Sequence, residues 1–196
     1  MRLKRLNNLP PMEIEEEELE GSFFEDIDFA FIDFSRKDLS KVTFKNCNLA
    51  CCNFSSSHLV DAKFDTVTLH QTEFTKSTIY DCIFDTADAP NLSFRSCELT
   101  RTKFWDCNLV ESEFNQCYMS ETVFSNANLQ RSLFSYCFIS YAKFESCNLN
   151  YANLEEVASW NNAKFYGSKG NWKKPLKWWN SAESYWEKKL STGSRI

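Results

Sequence analysis

A bulky apolar residue stands at every fifth position from Phe24 to Leu154, always Phe, Leu, Ile or Met except at Ala89. In residues 108–149 the repeat centres are Phe114, Phe124, Phe134 and Phe144, with Leu109, Met119, Leu129, Ile139 and Leu149 midway between or just beyond them. An amphipathic helix repeats its stripe every three or four residues and a strand every two, so neither accounts for this spacing. Two residues before each centre the side chain is mostly small, as at Val42, Cys47, Ala62, Cys82, Cys97, Cys117 and Ala152, and the other three positions are mostly polar. A period sustained this long signals a solenoid.

Units such as CNLAC (47–51), ANLQR (127–131) and CNLNY (147–151) resemble those of the pentapeptide-repeat family: a small residue, Asp or Asn, Leu or Phe, then two polar residues. The resemblance implies an all-β fold, a right-handed four-sided parallel β-helix with one unit per side and twenty residues per turn. This chain departs from the usual pattern by placing Ser, Asn or charged residues where many members have Gly, and by favouring Phe over Leu.

The residues independently support an even number of sides. Phe and Leu-like centres alternate, so a four-sided coil sorts them into pure columns, and four is the smallest even number that encloses a core. Phe24 to Phe144 then form one wall and Phe34 to Phe134 the opposite one. Leu49 to Leu149 line a third and Leu39 to Ile139 the fourth. At the β spacing of ~4.8 Å per turn, about six and a half turns make a rod on the order of 30 Å long. The expected organisation is an N-terminal lead-in at 1–21, the β-helix at 22–156 and a C-terminal tail at 157–196. Only four Gly are present, three of them in the last thirty residues, so the turns of the repeat are expected to use conformations that side chains tolerate.

Eight of the nine Cys fall in the small inward slot and are expected as buried, reduced thiols. Cys51 alone sits in an outward slot. The two His, His58 and His70, fall on different walls, so no metal site is expected, and no cofactor. No phosphate loop, nucleophile elbow or His-centred dyad is present, and the carboxylates point outward from a convex rod, so the chain is expected not to be an enzyme and to have no small-molecule substrate.

Function is then expected on the surface. Tyr118 and Phe138 stand outward one turn apart on the fourth wall, with Tyr136, Tyr141 and Tyr151 on neighbouring edges, and an exposed aromatic patch marks something that covers it. The same wall carries Asp61, Asp81, Glu98 and Glu121 as an acidic strip. The net charge of −5 divides into −3 for residues 1–21, −8 for 22–156 and +6 for 157–196. After Leu154 the register stumbles, with Ser159 where a centre is due and one displaced unit expected at Phe165. Pro175 opens an expected helix near 175–190, where Leu176, Trp178, Trp179, Tyr185, Trp186 and Leu190 are candidates for a cap or a dimer interface.

These features suggest a non-catalytic protein–protein interaction scaffold with an effector, immunity or adaptor role. The family resemblance implies an alternative, since some pentapeptide-repeat proteins bind DNA gyrase or topoisomerase IV as acidic DNA mimics and give quinolone or toxin protection. Mimicry of that kind exploits a basic DNA groove that reads backbone charge. A third reading is peripheral membrane or nucleic-acid binding through the basic, Trp-rich tail. The N-terminus lacks the apolar core of a signal peptide, so a cytoplasmic location is expected unless another export route operates.

Overall fold

The computed structural model describes residues 2–7, 9–13 and 18–175. The five-residue units form a parallel β-solenoid whose successive coils pair at an offset of twenty residues, Phe24 with Phe44, Phe44 with Phe64, and so on to Phe144. Four walls result. Wall 1 is an eight-stranded sheet of three-residue strands from Phe23–Glu25 to Lys164–Tyr166. Wall 3, opposite, has four strands from Glu73–Thr75 to Leu133–Ser135, extended at both ends by single bridges. Numbered in chain order, wall 2 is the Leu49 to Leu149 column and wall 4 the Leu39 to Ile139 column, and each pairs through one bridge per coil, such as Asn108 to Asn128 on wall 2 and Tyr118 to Phe138 on wall 4.

The centres fill the axis. Phe24 to Phe144 are buried, as are the Phe34 to Phe134 column and the Leu-like walls, Ala89 included. Within each Phe column the rings stack, at 4.5 Å and 2° for Phe64 and Phe84, and across the axis they meet edge to face, at 6.3 Å and 83° for Phe74 and Phe84. Both are favoured geometries for ring quadrupoles. Each buried ring contributes ~1.5–3 kcal/mol through loss of apolar surface to water.

The small inward slot does more than leave room. Its side chains donate to the carbonyl of the preceding unit's centre one coil earlier: Thr72 to Leu49 at 2.8 Å, Ser77 to Phe54 at 2.6 Å, Ser112 to Ala89 at 3.1 Å and Cys137 to Phe114 at 3.3 Å. Ser, Thr and Cys therefore satisfy buried backbone oxygens that an Ala leaves to other partners. The Asp and Asn one residue before the centre serve the corners. Asp38 and Asn148 accept the N–H two residues on, at 3.0 and 3.2 Å, and Asn48 also donates to Asp28 in the coil before at 2.9 Å. These local bonds suit Asx side chains.

The corners correct one sequence expectation. Every fifth residue from Asp26 to Tyr151 has a positive φ, Phe31 and the β-branched Thr66 and Thr86 among them. The turns do not avoid the left-handed region; they occupy it with ordinary side chains, because the ladder on both sides dictates the corner.

The register break falls where the sequence places it. One extra residue enters near Ala158 and Ser159, whose N–H groups both point to Cys137 O, and Lys164–Tyr166 pairs with Lys143–Glu145 at an offset of twenty-one. Phe165 stacks on Phe144 at 4.8 Å, and Trp172 covers Phe165 at 4.7 Å. The offset is back to twenty when Lys173 bridges Asn153. Gly170 makes this return possible: its φ is 125°, and a Cβ there would lie 2.6 Å from Asn150 N. At the other end Arg2–Leu3 pairs antiparallel with Met12–Glu13, and Arg5 bridges Ile32, so the lead-in covers the first coil and Leu3 is buried. The expected helix near 175–190 lies outside the described residues.

Candidate interaction surface

Wall 4 and its two corners carry most of the surface residues singled out in the sequence. On the wall itself the outward column runs Asp38, His58, Thr78, Glu98, Tyr118, Phe138, each bridged to the next. One-coil spacing forces successive outward side chains into contact, and Tyr118 and Phe138 stack at 5.0 Å and 8° while remaining 53% and 39% exposed. Tyr136 stands on the corner between walls 3 and 4, also exposed, and with Ser96, Gln116, Tyr118, Phe138 and Ala158 it lines a shallow groove. Glu156 belongs to the same corner, its carbonyl accepting the Tyr136 N–H at 2.9 Å. Gln116 and Glu156 were not singled out in the sequence. Their spacing of twenty from Tyr136 is the signal that finds them.

Tyr141 lies on the opposite edge of wall 4, in a second depression with Glu121, Val123, Lys143, Asn162 and Lys164. Tyr151 is exposed on the corner between walls 2 and 3 and does not join the others. The candidate tail residues Leu176, Trp178, Trp179, Tyr185, Trp186 and Leu190 lie outside the described residues.

The acidic strip is less open than its sequence suggests. Asp61, Asp81 and Glu121 share one corner column with Arg101. Arg101 Nε donates to Asp81 Oδ1 at 2.7 Å, a second guanidinium nitrogen reaches Oδ2, and the group lies 4.2 Å over the Tyr80 ring. The Arg101 hydrogen bonds, aided by its charge, hold the Asp81 carboxyl below the usual carboxylate range. Glu98 is turned onto its own corner, accepting the Thr100 N–H at 3.1 Å and its hydroxyl. Other acids are paired across coils, Glu111 with Arg131 at 3.2 Å and Glu25 with Lys45 at 2.7 Å. Neighbours of opposite sign thus interrupt the negative surface at the coil spacing.

Burial favours the protonated thiol at Cys52, Cys82 and Cys107, pushing each up to about 12, and at Cys147, pushing it to about 11. Cys97, Cys117 and Cys137 stack one coil apart, each donating to the carbonyl of a Phe centre. Cys51 is partly exposed and approaches Gln71 at 3.8 Å. His70 pairs with Asp88 at 2.7 Å on wall 2, away from His58 on wall 4, and among the described residues no cluster of His, Cys, Asp and Glu could hold a metal. No described helix is long and apolar enough to cross a membrane.

A family model described as "Pentapeptide repeat region" matches residues 87–169, and one described as "Pentapeptide repeats (8 copies)" matches 22–59, 38–75 and 47–86. Among solved structures the chain is similar to full-length QnrB1, a plasmid-mediated fluoroquinolone resistance protein. The identity is 21%, with 90% of this chain and 93% of that one covered and a TM-score of 0.55. A trypsin-treated variant of QnrB1 is matched at 20% identity over 91% and 92% of the two chains, with a TM-score of 0.51. These likenesses describe the fold. No curated protein sequence matches the chain.

Proposed function

Because the chain belongs to the pentapeptide-repeat family, we propose that it is a non-catalytic interaction scaffold, and that its protein partner seats on wall 4 over Tyr118, Phe138 and Tyr136. The stacked, solvent-facing Tyr118–Phe138 pair carries this reading. The core of the rod is filled and the lead-in covers its first coil, so the aromatic column is not required to complete the fold. Rigid, amphipathic rings held on a flat ladder supply contact area at small entropic cost, which is the property that enriches Tyr in interfaces.

Interleaved cations favour this reading over duplex-DNA mimicry. A topoisomerase groove responds to unpaired negative charge in rows, whereas Asp81 is engaged by Arg101, and Glu111 and Glu113 by Arg131 and Arg95. The two readings separate experimentally. Full-length Tyr118→Ala/Phe138→Ala, with unchanged melting, is expected to lose at least tenfold in affinity for the protein that the native chain captures, while Asp61→Asn/Asp81→Asn/Glu121→Gln keeps it. Inhibition or quinolone protection of gyrase supercoiling that the charge variant abolishes and the aromatic variant retains would overturn the proposal in favour of mimicry.

A further inference from the structure

Four aromatic rings outside the packed axis carry a cation of this chain over their faces. Arg101 lies 4.2 Å from the centre of the Tyr80 ring, Lys103 5.3 Å from Trp105, Lys164 5.6 Å from Tyr166 and Lys174 5.7 Å from Trp172. In three of these pairs the cation stands two residues from its ring, and in the Tyr80 pair it comes from the coil above. The groove on wall 4 has no such neighbour. Two residues from Tyr118 are Gln116 and Ser120, and two from Phe138 are Tyr136 and Ser140. The rest of its lining is Ser96 and Ala158, so neither Lys nor Arg enters it. Tyr118 and Phe138 stack on each other, which leaves one face of each free of ring contact, and Tyr136 is exposed beside them.

A ring face is the negative pole of its quadrupole and attracts a cation. Guanidinium suits this groove in particular, being a flat group that stacks on rings and brings five N–H donors and no acceptor. The lining supplies acceptors in the Tyr118 and Tyr136 hydroxyls and in Gln116 Oε1, which takes one bond from Ser96 at 3.3 Å and has a second lone pair. The charge of −8 on residues 22–156 draws cations towards the rod as a whole, and the rings decide where one settles. From this charge complementarity we propose that the partner of the wall 4 face inserts an arginine side chain into the Tyr118–Tyr136–Phe138 groove, with its guanidinium against the rings. The inference rests on that face being the binding surface and names the chemistry it reads. The contact needs no carboxylate to receive the cation, and it survives salt that screens the acidic surface, because it is made at ring contact and not across a Debye length.

An arginine probe tests this on the full native chain. A blocked Gly-Arg-Gly tripeptide is titrated at physiological ionic strength beside its citrulline counterpart, in which a neutral urea of the same shape replaces the guanidinium. The ring resonances of Tyr118, Tyr136 and Phe138 are followed by NMR. The arginine peptide is expected to shift them, and the citrulline peptide to bind at least about fivefold more weakly, the factor that one or two exposed ring–cation contacts supply. Tyr118→Leu/Phe138→Leu keeps apolar bulk without the rings and should erase the difference between the peptides. Equal binding of the two peptides to the native chain would overturn the proposal, since the groove would then read shape and not charge. So would arginine shifts confined to the neighbourhood of Asp61 and Glu121 with the rings silent, or no response at all. The comparison of peptides needs no variant, so a variant that fails to fold leaves the test intact. If the rings ignore arginine while Tyr118→Ala/Phe138→Ala still loses its protein partner, the binding face stands and only the arginine assignment falls.

Discussion

At the residue scale, the corners show how tertiary pairing overrides local preference. A β-branched residue in the left-handed region is disfavoured, yet Thr66 and Thr86 sit at φ 54° and 53°. The corner carries the position because its N–H is bonded into the next coil, as Thr86 N is to Trp105 O at 2.9 Å. The strain is local and removable. Thr86→Asn keeps a side chain while substituting a residue that tolerates this conformation, and it is expected to stabilise the fold by about 0.5–1 kcal/mol, read as a higher urea midpoint at unchanged slope. A lower midpoint would show that the Thr86 hydroxyl bond to Asp85, at 3.1 Å, outweighs the backbone strain.

At the scale of the coil, each unit is held from below and from above, and among the described residues the last coil pairs with a neighbouring coil on one side only. Its insertion near Ala158 and Ser159 and its return at Lys173 depend on the close passage of Gly170 over Asn150. Gly170→Ala places a methyl group against backbone, where no side chain can swing away. The expected result is loss of amide-exchange protection for Lys164–Tyr166 and Lys173, with the coils below Phe144 unaffected. Unchanged protection at Lys173 would mean that the coil re-forms without this passage. The same unit structure explains why function is sought on the surface: the inward positions of every coil are committed to packing and to carbonyl satisfaction, which leaves the outward columns free to vary.

For the whole molecule, pH acts through two populations of groups. Asp81 and Asp38 are held below the usual carboxylate range by hydrogen bonds, from Arg101 and from Ser40 respectively, and Asp88 likewise by His70 and Asn108 although partial burial opposes the shift. Lowered acid values stabilise the fold above about pH 4, and that contribution disappears as pH falls through them. Asp38 and Asp88 are exposed and Asp81 is partly so, which makes the acid limb shallow. Cys52, Cys82 and Cys107 act oppositely. Their values are raised, so their contribution is complete below about pH 8.5, the range of a free thiol, and is lost as pH rises towards about 12. Each buried thiol then costs about 1.4 kcal/mol per pH unit, and with several in one rod the melting temperature is expected to fall steeply above pH 9. Cys52→Ala/Cys82→Ala/Cys107→Ala should flatten that limb. An alkaline limb as steep in the triple variant as in the native chain would show that other groups cause it.

The period of five determined the core from sequence alone. When one residue in five must point to the axis, Phe24 to Leu154 have no alternative, and the alternation of Phe with Leu separates the walls without any knowledge of contacts. The Asn column at 48, 108, 128 and 148 was legible for the same reason. Asn48, Asn128 and Asn148, each one residue before a centre, accept the backbone N–H two residues on, whereas Asn108 in the same column instead donates to Asp88 in the coil before. What neighbours do across twenty residues was decided by tertiary structure. Only the stacked coils bring Arg101 onto Asp81, set Gln116 and Glu156 beside Tyr136, and separate Tyr151 from the aromatic face, because a sequence fixes which way a side chain points while the pairing of coils fixes what it meets there.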